Sequence, residues 1–171
     1  MKTALLLLIF ATVSATAFPT SLPAAEEYTY WIEGCPGSDP HITGCEPGDV
    51  ELARWALEAW QRESGGAIVF KKVLNEVSAR IRVHWATGGS SLYGETEPMM
   101  FEGKRGAIVN VLPSVVTDKT DPLLRDAIVY LTCLHESGHA LGLQHTRAFA
   151  DIMYSFQYGG DITAYFGRYR G

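Results

Sequence analysis

The sequence has no long apolar run after its first residues, no internal repeat, no low-complexity block and no strong excess of either charge. Without a later apolar run there is no candidate for a membrane-spanning helix, which needs about 20 such residues. A formal net charge of −5 over 171 residues argues against nucleic acid or an anionic membrane as a partner. The lack of repeats and biased tracts leaves a compact globular domain with room for a real core. Cysteine is scarce as well, with three residues in the chain.

The one apolar run, Ala4 to Val13, follows Lys2 and precedes Ala15-Thr16-Ala17, a small-x-small cleavage pattern. It is too short to cross a bilayer. Residues 1–17 therefore read as a secretion signal and not as a membrane anchor. The expected mature chain, residues 18–171, is a single domain that is exported, to a periplasm or the extracellular space.

Periodicity places the elements. Tyr28 to Ile32 reads as a strand. Asp49 suits the N-cap of a helix whose Val50, Ala53, Ala56, Leu57 and Trp60 share a face. Glu58 and Arg62 form an i,i+4 pair on its outer side, and Ser64-Gly65-Gly66 stops it. Ala67 to Val73 is a second strand, apolar enough to be mostly covered. Arg80 to Trp85 alternates, with Ile81, Val83 and Trp85 inward and Arg80, Arg82 and His84 outward. His84 then sits beside two cations and reads as a solvated histidine; His41 reads as an ordinary loop residue.

Glu95 to Phe101 and Ala107 to Leu112 form a hairpin across residues 102–106. Pro98 removes a ladder donor, which makes the first arm an edge strand. The free backbone groups of such an edge can pair with an extended peptide. Asp121-Pro122 opens the next helix, which runs through Ile128, Leu131 and Leu134 to Gly142, and a short helix near Ile162 to Tyr169 closes the chain. The fold class is α+β: a small twisted mixed sheet, a long N-terminal helix, a second helix that carries the histidines, and a short C-terminal helix.

That second helix ends in His135-Glu136-Ser137-Gly138-His139-Ala140-Leu141-Gly142-Leu143-Gln144-His145. His135 and His139 are four apart and project from one helix face. Gly142 allows the chain to turn back in a left-handed conformation and bring His145 to the same point. Three neutral imidazoles leave the fourth tetrahedral position of a zinc ion to water, the arrangement of a catalytic site. Glu136, beside a ligand but not needed as one, is placed to handle that water's proton. The bland alternative, a histidine-rich helix end packed in a core, would bury three imidazoles and an acid with nothing to satisfy them.

Cys35 and Cys45 enclose a Gly- and Pro-rich loop, and in an exported protein they read as a disulfide. The rival is a Cys35 thiolate on the zinc, against which the nearby Cys45 competes. Cys133 lies two residues before His135, about 160° away around the helix, and reads as a buried small hydrophobe.

From His135 to His145 the chain resembles the metzincin clan of zinc endopeptidases and, within it, the matrixin-like group. Asp151-Ile152-Met153-Tyr154 resembles the Met-turn of that clan, with Met153 eight residues after His145. The resemblance implies that Met153 lies as a thioether floor beneath the ligands, and that the element order is that of the matrixin catalytic fold. It also implies a secreted zinc metalloendopeptidase with one catalytic ion. Such an enzyme acts on protein or peptide substrates, by attack of a zinc-bound water with Glu136 as general base; it is expected to be monomeric. The sequence departs from the family in several places. No Pro-Arg-Cys-Gly-type cysteine switch precedes the domain, and the pattern of a structural zinc and acidic calcium loops is missing. Thr146 replaces the usual Ser, and Ser155 stands where matrixins carry proline, leaving Phe156 and Tyr158 as nearby candidates for a pocket wall. The alternative function is a catalytically silent, zinc-stabilised secreted binding module; it would be expected to lose the glutamate first, and Glu136 is intact.

Overall fold

The structure is a computed structural model that describes residues 24–35, 43–87, 93–115 and 121–168. The secretion signal expected at residues 1–17, His41 and the end of the last helix at Tyr169 lie outside the described residues. Among the described residues there are five strands: β1 (Glu26–Ile32), β2 (Ile68–Lys72), β3 (Ile81–Trp85), β4 (Gly94–Phe101) and β5 (Lys104–Val111). They form one mixed sheet in the order β2-β1-β3-β5-β4. All neighbours are parallel except β4 and β5, which are antiparallel. Three helices accompany them among the described residues: α1 (Asp49–Glu63), α2 (Pro122–Ala140) and α3 (Ile162–Gly167). The architecture is the α+β one expected from the sequence.

Register explains the core. Ile81 pairs with Tyr30 on one side and Ala107 on the other, while Val83 pairs with Ile32 and Val109. These side chains therefore line up in rows on one face, and all are buried. Ala53, Ala56 and Leu57 of α1 and Ile128, Val129 and Leu131 of α2 join them in one continuous cluster. The two long helices thus cover one face of the sheet, and the opposite face keeps half-exposed residues such as Trp31, Arg82 and Asn110. Trp60 fastens the helices together, its indole N–H donating to the Leu134 carbonyl at 2.9 Å.

Several expectations need correction. β2 is an edge strand and largely exposed, because it has β1 as its one partner and only Ile68 and Phe70 reach the core. Arg80 is buried at 4% exposure instead of facing out. It precedes the regular strand, so alternation does not govern it; its guanidinium lies 3.8 Å over the Tyr28 ring and donates to the Glu26 carboxylate at 2.7 Å. His84 has the carboxylates of Glu33 and Glu76 against its ring, at 3.6 and 3.3 Å, in place of the two expected cations. Glu58 pairs with Arg54, as does Glu51, while the expected partner Arg62 occupies the last turn.

Asp49 is the first residue of α1 and not its N-cap, which is Gly48. Its carboxylate is fully buried and accepts two bonds from Arg125, while also taking the Glu46 N–H at 2.9 Å. Arg125 further donates to the Gly44 carbonyl at 3.1 Å, so one guanidinium joins α2, the start of α1 and the loop held by the Cys35–Cys45 disulfide. Asp49 holds the guanidinium firmly protonated, through its hydrogen bonds and its charge. The far end of α2 is thereby anchored before it delivers the histidines. Breaking a buried pair leaves a desolvated charge behind, which costs about 3–5 kcal/mol. Asp49→Ala should therefore lower unfolding stability by about that amount in a denaturant titration; a change under about 1 kcal/mol would remove this pair from the fold's main supports.

Candidate metal centre

Asp121 caps α2, its side chain accepting from the Leu124 N–H, and Pro122 supplies the first turn, as the sequence predicts. At the other end the helix closes with Gly142 at φ 101°. The Leu143 N–H donates to the Gly138 carbonyl and the Gly142 N–H to the His139 carbonyl, both at 2.9 Å. This pair of crossed bonds turns the chain back on itself and needs a residue that tolerates positive φ. The reversal puts Nε2 of His145 at 3.1 Å from Nε2 of His135 and 3.0 Å from Nε2 of His139.

The outer ring nitrogens explain why the inner ones converge. Nδ1–H of His135 donates to the Ile152 carbonyl at 2.6 Å, and Nδ1–H of His139 to the Leu143 carbonyl at 2.9 Å. With Nδ1 protonated, each neutral ring presents a lone pair at Nε2. Burial pushes the His135 imidazole down to about 4, helped by the two neighbouring imidazoles and opposed by the Ile152 carbonyl. Burial, and then His139, also lower His145. Uncharged imidazole is the form that ligates, and lone pairs this close repel unless a cation lies among them. The three histidines form a group that could hold a metal ion; nitrogen donors of this number suit zinc.

Met153, 3% exposed, packs against the same helix at Gly138. A Cβ placed on Gly138 would stand 2.4 Å from the Met153 sulfur and 3.0 Å from the Trp60 ring. The missing side chain is thus the space the thioether fills. The loop that carries Met153 is tied to the residue after His145: Thr146 forms a parallel bridge with Tyr154, and its N–H donates to the Met153 carbonyl at 2.9 Å. Tyr165 of α3 braces the same loop from behind, donating to the Asp151 carbonyl at 3.1 Å.

Glu136 is buried at 7% exposure on the α2 face turned toward β4. The Thr96 hydroxyl lies 2.6 Å from its Oε2 and 3.0 Å from its backbone carbonyl. Burial raises the carboxyl pKa, while the Thr96 hydroxyl and His139 draw it back. β4 is the sheet edge that the sequence predicts, with Pro98 opposite Ala107. The hairpin turn is tighter than residues 102–106, consisting of Glu102 and Gly103 with φ 49° and 75° between the paired Phe101 and Lys104. Below β4 a cavity of about 840 Å³ takes in Thr96, Glu136 and all three histidines.

The matrixin family model, a peptidase family, matches residues 45–163. The chain belongs to the matrixin family. Comparison with curated proteins gives no match. Membership makes this a hydrolase domain of the metalloprotease kind, and the matched span contains the histidines, Glu136, Thr96 and Met153. Of the two wall candidates in this matrixin, Phe156 lines the cavity, whereas Tyr158 is exposed and packs under Arg147 at 5.0 Å.

The three histidines are brought together, and Cys35 and Cys45 are joined. Cys133 is buried, 2% exposed, and burial raises its thiol. Sequence reasoning missed Thr96, Gly138 and an aromatic wall of Tyr93, Tyr154, Tyr165 and Phe166. Gly138 had a readable signal, since a glycine inside a helix has low propensity and needs a packing reason. Thr96 had none. In Gly138→Ala the new methyl group collides with the Met153 sulfur, an overpacking worth about 1–3 kcal/mol. We expect a lower melting temperature and weaker metal binding in a competition titration, with Met153→Ala partly restoring the melting temperature of the double variant.

Proposed function

We propose that this matrixin is an exported, monomeric, zinc-dependent endopeptidase that cleaves extended protein or peptide substrates, with residues 18–171 as its single domain and residues 1–17 as its secretion signal. The observation that carries the reading is the meeting of three imidazole Nε2 atoms, 3.0 and 3.1 Å apart where measured from His145, beside the buried carboxylate of Glu136. The Cys35–Cys45 disulfide fits an oxidising compartment. Among the described residues no helix is long and apolar enough to cross a membrane.

One zinc ion, when bound to His135, His139 and His145, supplies a Lewis acid for the peptide carbonyl and a lowered pKa for water. The protein's own groups do the rest. The edge of β4 offers unpaired backbone groups to which an extended peptide can add as a further strand. The cavity below it receives one side chain of that peptide between α2 and the aromatic wall. Glu136, held in a desolvated position, accepts the proton of the attacking water and passes it to the leaving nitrogen. Its raised pKa narrows the gap between carboxylate and ambient pH, which makes both transfers easier. Met153 keeps the floor under the ligand rings apolar and rigid.

Chelator-sensitive cleavage of casein or a mixed-peptide substrate by the purified protein is the first expected result; metal-dependent melting without cleavage would instead favour the silent binding module. Glu136→Gln keeps the shape of the side chain but removes the base. It should retain zinc by metal analysis while turnover falls about 10²–10⁴-fold; near-normal turnover would overturn its role. His139→Ala removes one ligand of three and should leave the purified protein with much less than one zinc per chain. A full complement would mean that the metal sits elsewhere.

A further inference from the structure

Glu136 is a flexible side chain in a buried place, and among the described contacts of its carboxylate one side-chain donor stands out. Thr96 lies 40 residues earlier in the chain, on β4, and its Oγ1 is 2.6 Å from Oε2 of Glu136. The same oxygen is 3.0 Å from the Glu136 carbonyl. Two residues before Thr96 stands Gly94, where a Cβ would meet Cγ of Glu136 at 2.9 Å and Cγ2 of Thr132 at 2.8 Å. Gly94 and Thr96 point to the same side of β4, toward α2. One leaves room for the stem of the glutamate, and the other holds its tip.

We propose that Thr96 is a positioning residue for the Glu136 carboxylate, and that it locks the base to the strand on which the substrate lies. Three features support this. Threonine is branched at Cβ and stiff about χ1, so its hydroxyl direction is set by the strand backbone. A hydroxyl bond to a carboxylate is charge-assisted and short, and the contact has that length. The bond engages Oε2 and so fixes the side chain at its tip. A shift of β4 along its length would therefore move the substrate backbone and the base together, keeping the attacking water, the scissile carbonyl and the carboxylate in one register. Small displacements of such a group are costly, since alignment contributes a large part of the rate.

The proposal rests on the peptidase reading, and its test separates the two. Steady-state kcat and KM would be measured for the zinc-loaded wild type, Thr96→Val and Thr96→Ser on a peptide that the wild type cleaves, with zinc content and melting temperature recorded alongside. Thr96→Val keeps the shape and loses the hydroxyl. We expect kcat to fall about ten- to a hundredfold, the size of one lost hydrogen bond to a charged group, with KM within about twofold and zinc unchanged. Thr96→Ser restores the hydroxyl and should recover most of kcat. An unchanged kcat in Thr96→Val, or a loss that Thr96→Ser leaves unrepaired, overturns the proposal. Should Thr96→Val not fold, Thr96→Ala removes the hydroxyl without adding bulk and takes its place.

A readout without turnover decides the contact itself. Removing the hydroxyl should lower the melting temperature of the wild type by about 2–4 °C more than it does in the Glu136→Ala background. Equal shifts in the two backgrounds would show that Thr96 and Glu136 are not coupled. If the wild type cleaves nothing, the peptidase reading fails, and this cycle still tells whether β4 and the glutamate are tied.

Discussion

Met153 sits where position 138 has no side chain, and the rest of the site depends on that fit. The helix can bring two imidazoles to one face by its own geometry. It cannot supply the carbonyl that sets the His135 tautomer, because that carbonyl belongs to Ile152, next to the methionine. Nor can it hold His145, whose following residue is bridged to Tyr154, on the other side of the methionine. The thioether under Gly138 presses both attachments against α2 at once. The His135 tautomer and the support behind His145 thus share one packing contact with no charge in it, while Gly142 and the Leu143 carbonyl set the return of the chain and the His139 ring. Methionine suits the task because it is unbranched and fills an irregular gap without demanding a partner.

Buried charge lies near both ends of α2, to opposite effect. At the start of α2, Asp49 and Arg125 are both buried and fully matched, with backbone groups satisfying what remains. Such a pair is costly to break and adds rigidity where α1, α2 and the disulfide loop meet. At the end of α2, Glu136 has the Thr96 hydroxyl but no comparable cation bonded to it among the described residues, and burial raises its carboxyl pKa. The first acid is matched by a cation and the second is not, and Arg125 and Glu136 are carried by one helix of 19 residues.

Much of this was legible in the sequence because it is encoded locally. Asp121-Pro122, the return at Gly142, the histidine spacing, the alternation in β3 and the edge mark at Pro98 each depend on a few neighbouring residues. Sheet order is not local, and errors gathered where it matters. β2 read as covered because its residues are apolar, but the order β2-β1-β3-β5-β4 leaves it outside. Arg80 read as solvated by parity, yet Glu26 and the hairpin end close over it from distant parts of the chain. Asp49 looked like a cap because its partner lies 76 residues away. The bond from Thr96 to Glu136 belongs to the same class, since nothing near either residue announces the other.

An open edge on β4 is also an open invitation to aggregation, because unpaired strand backbone is a template for a second copy of the same strand. Among the described residues no further strand pairs with this edge. Its defence is chemical and selective. Pro98 interrupts the row of donors, and the exposed carboxylates of Glu95 and Glu97 alternate with the inward-facing Gly94 and Thr96. Two such strands brought side by side set like charges against each other, whereas a single extended segment of different composition meets no such opposition. The sticky surface is thus kept from its own kind by repulsion rather than by burial.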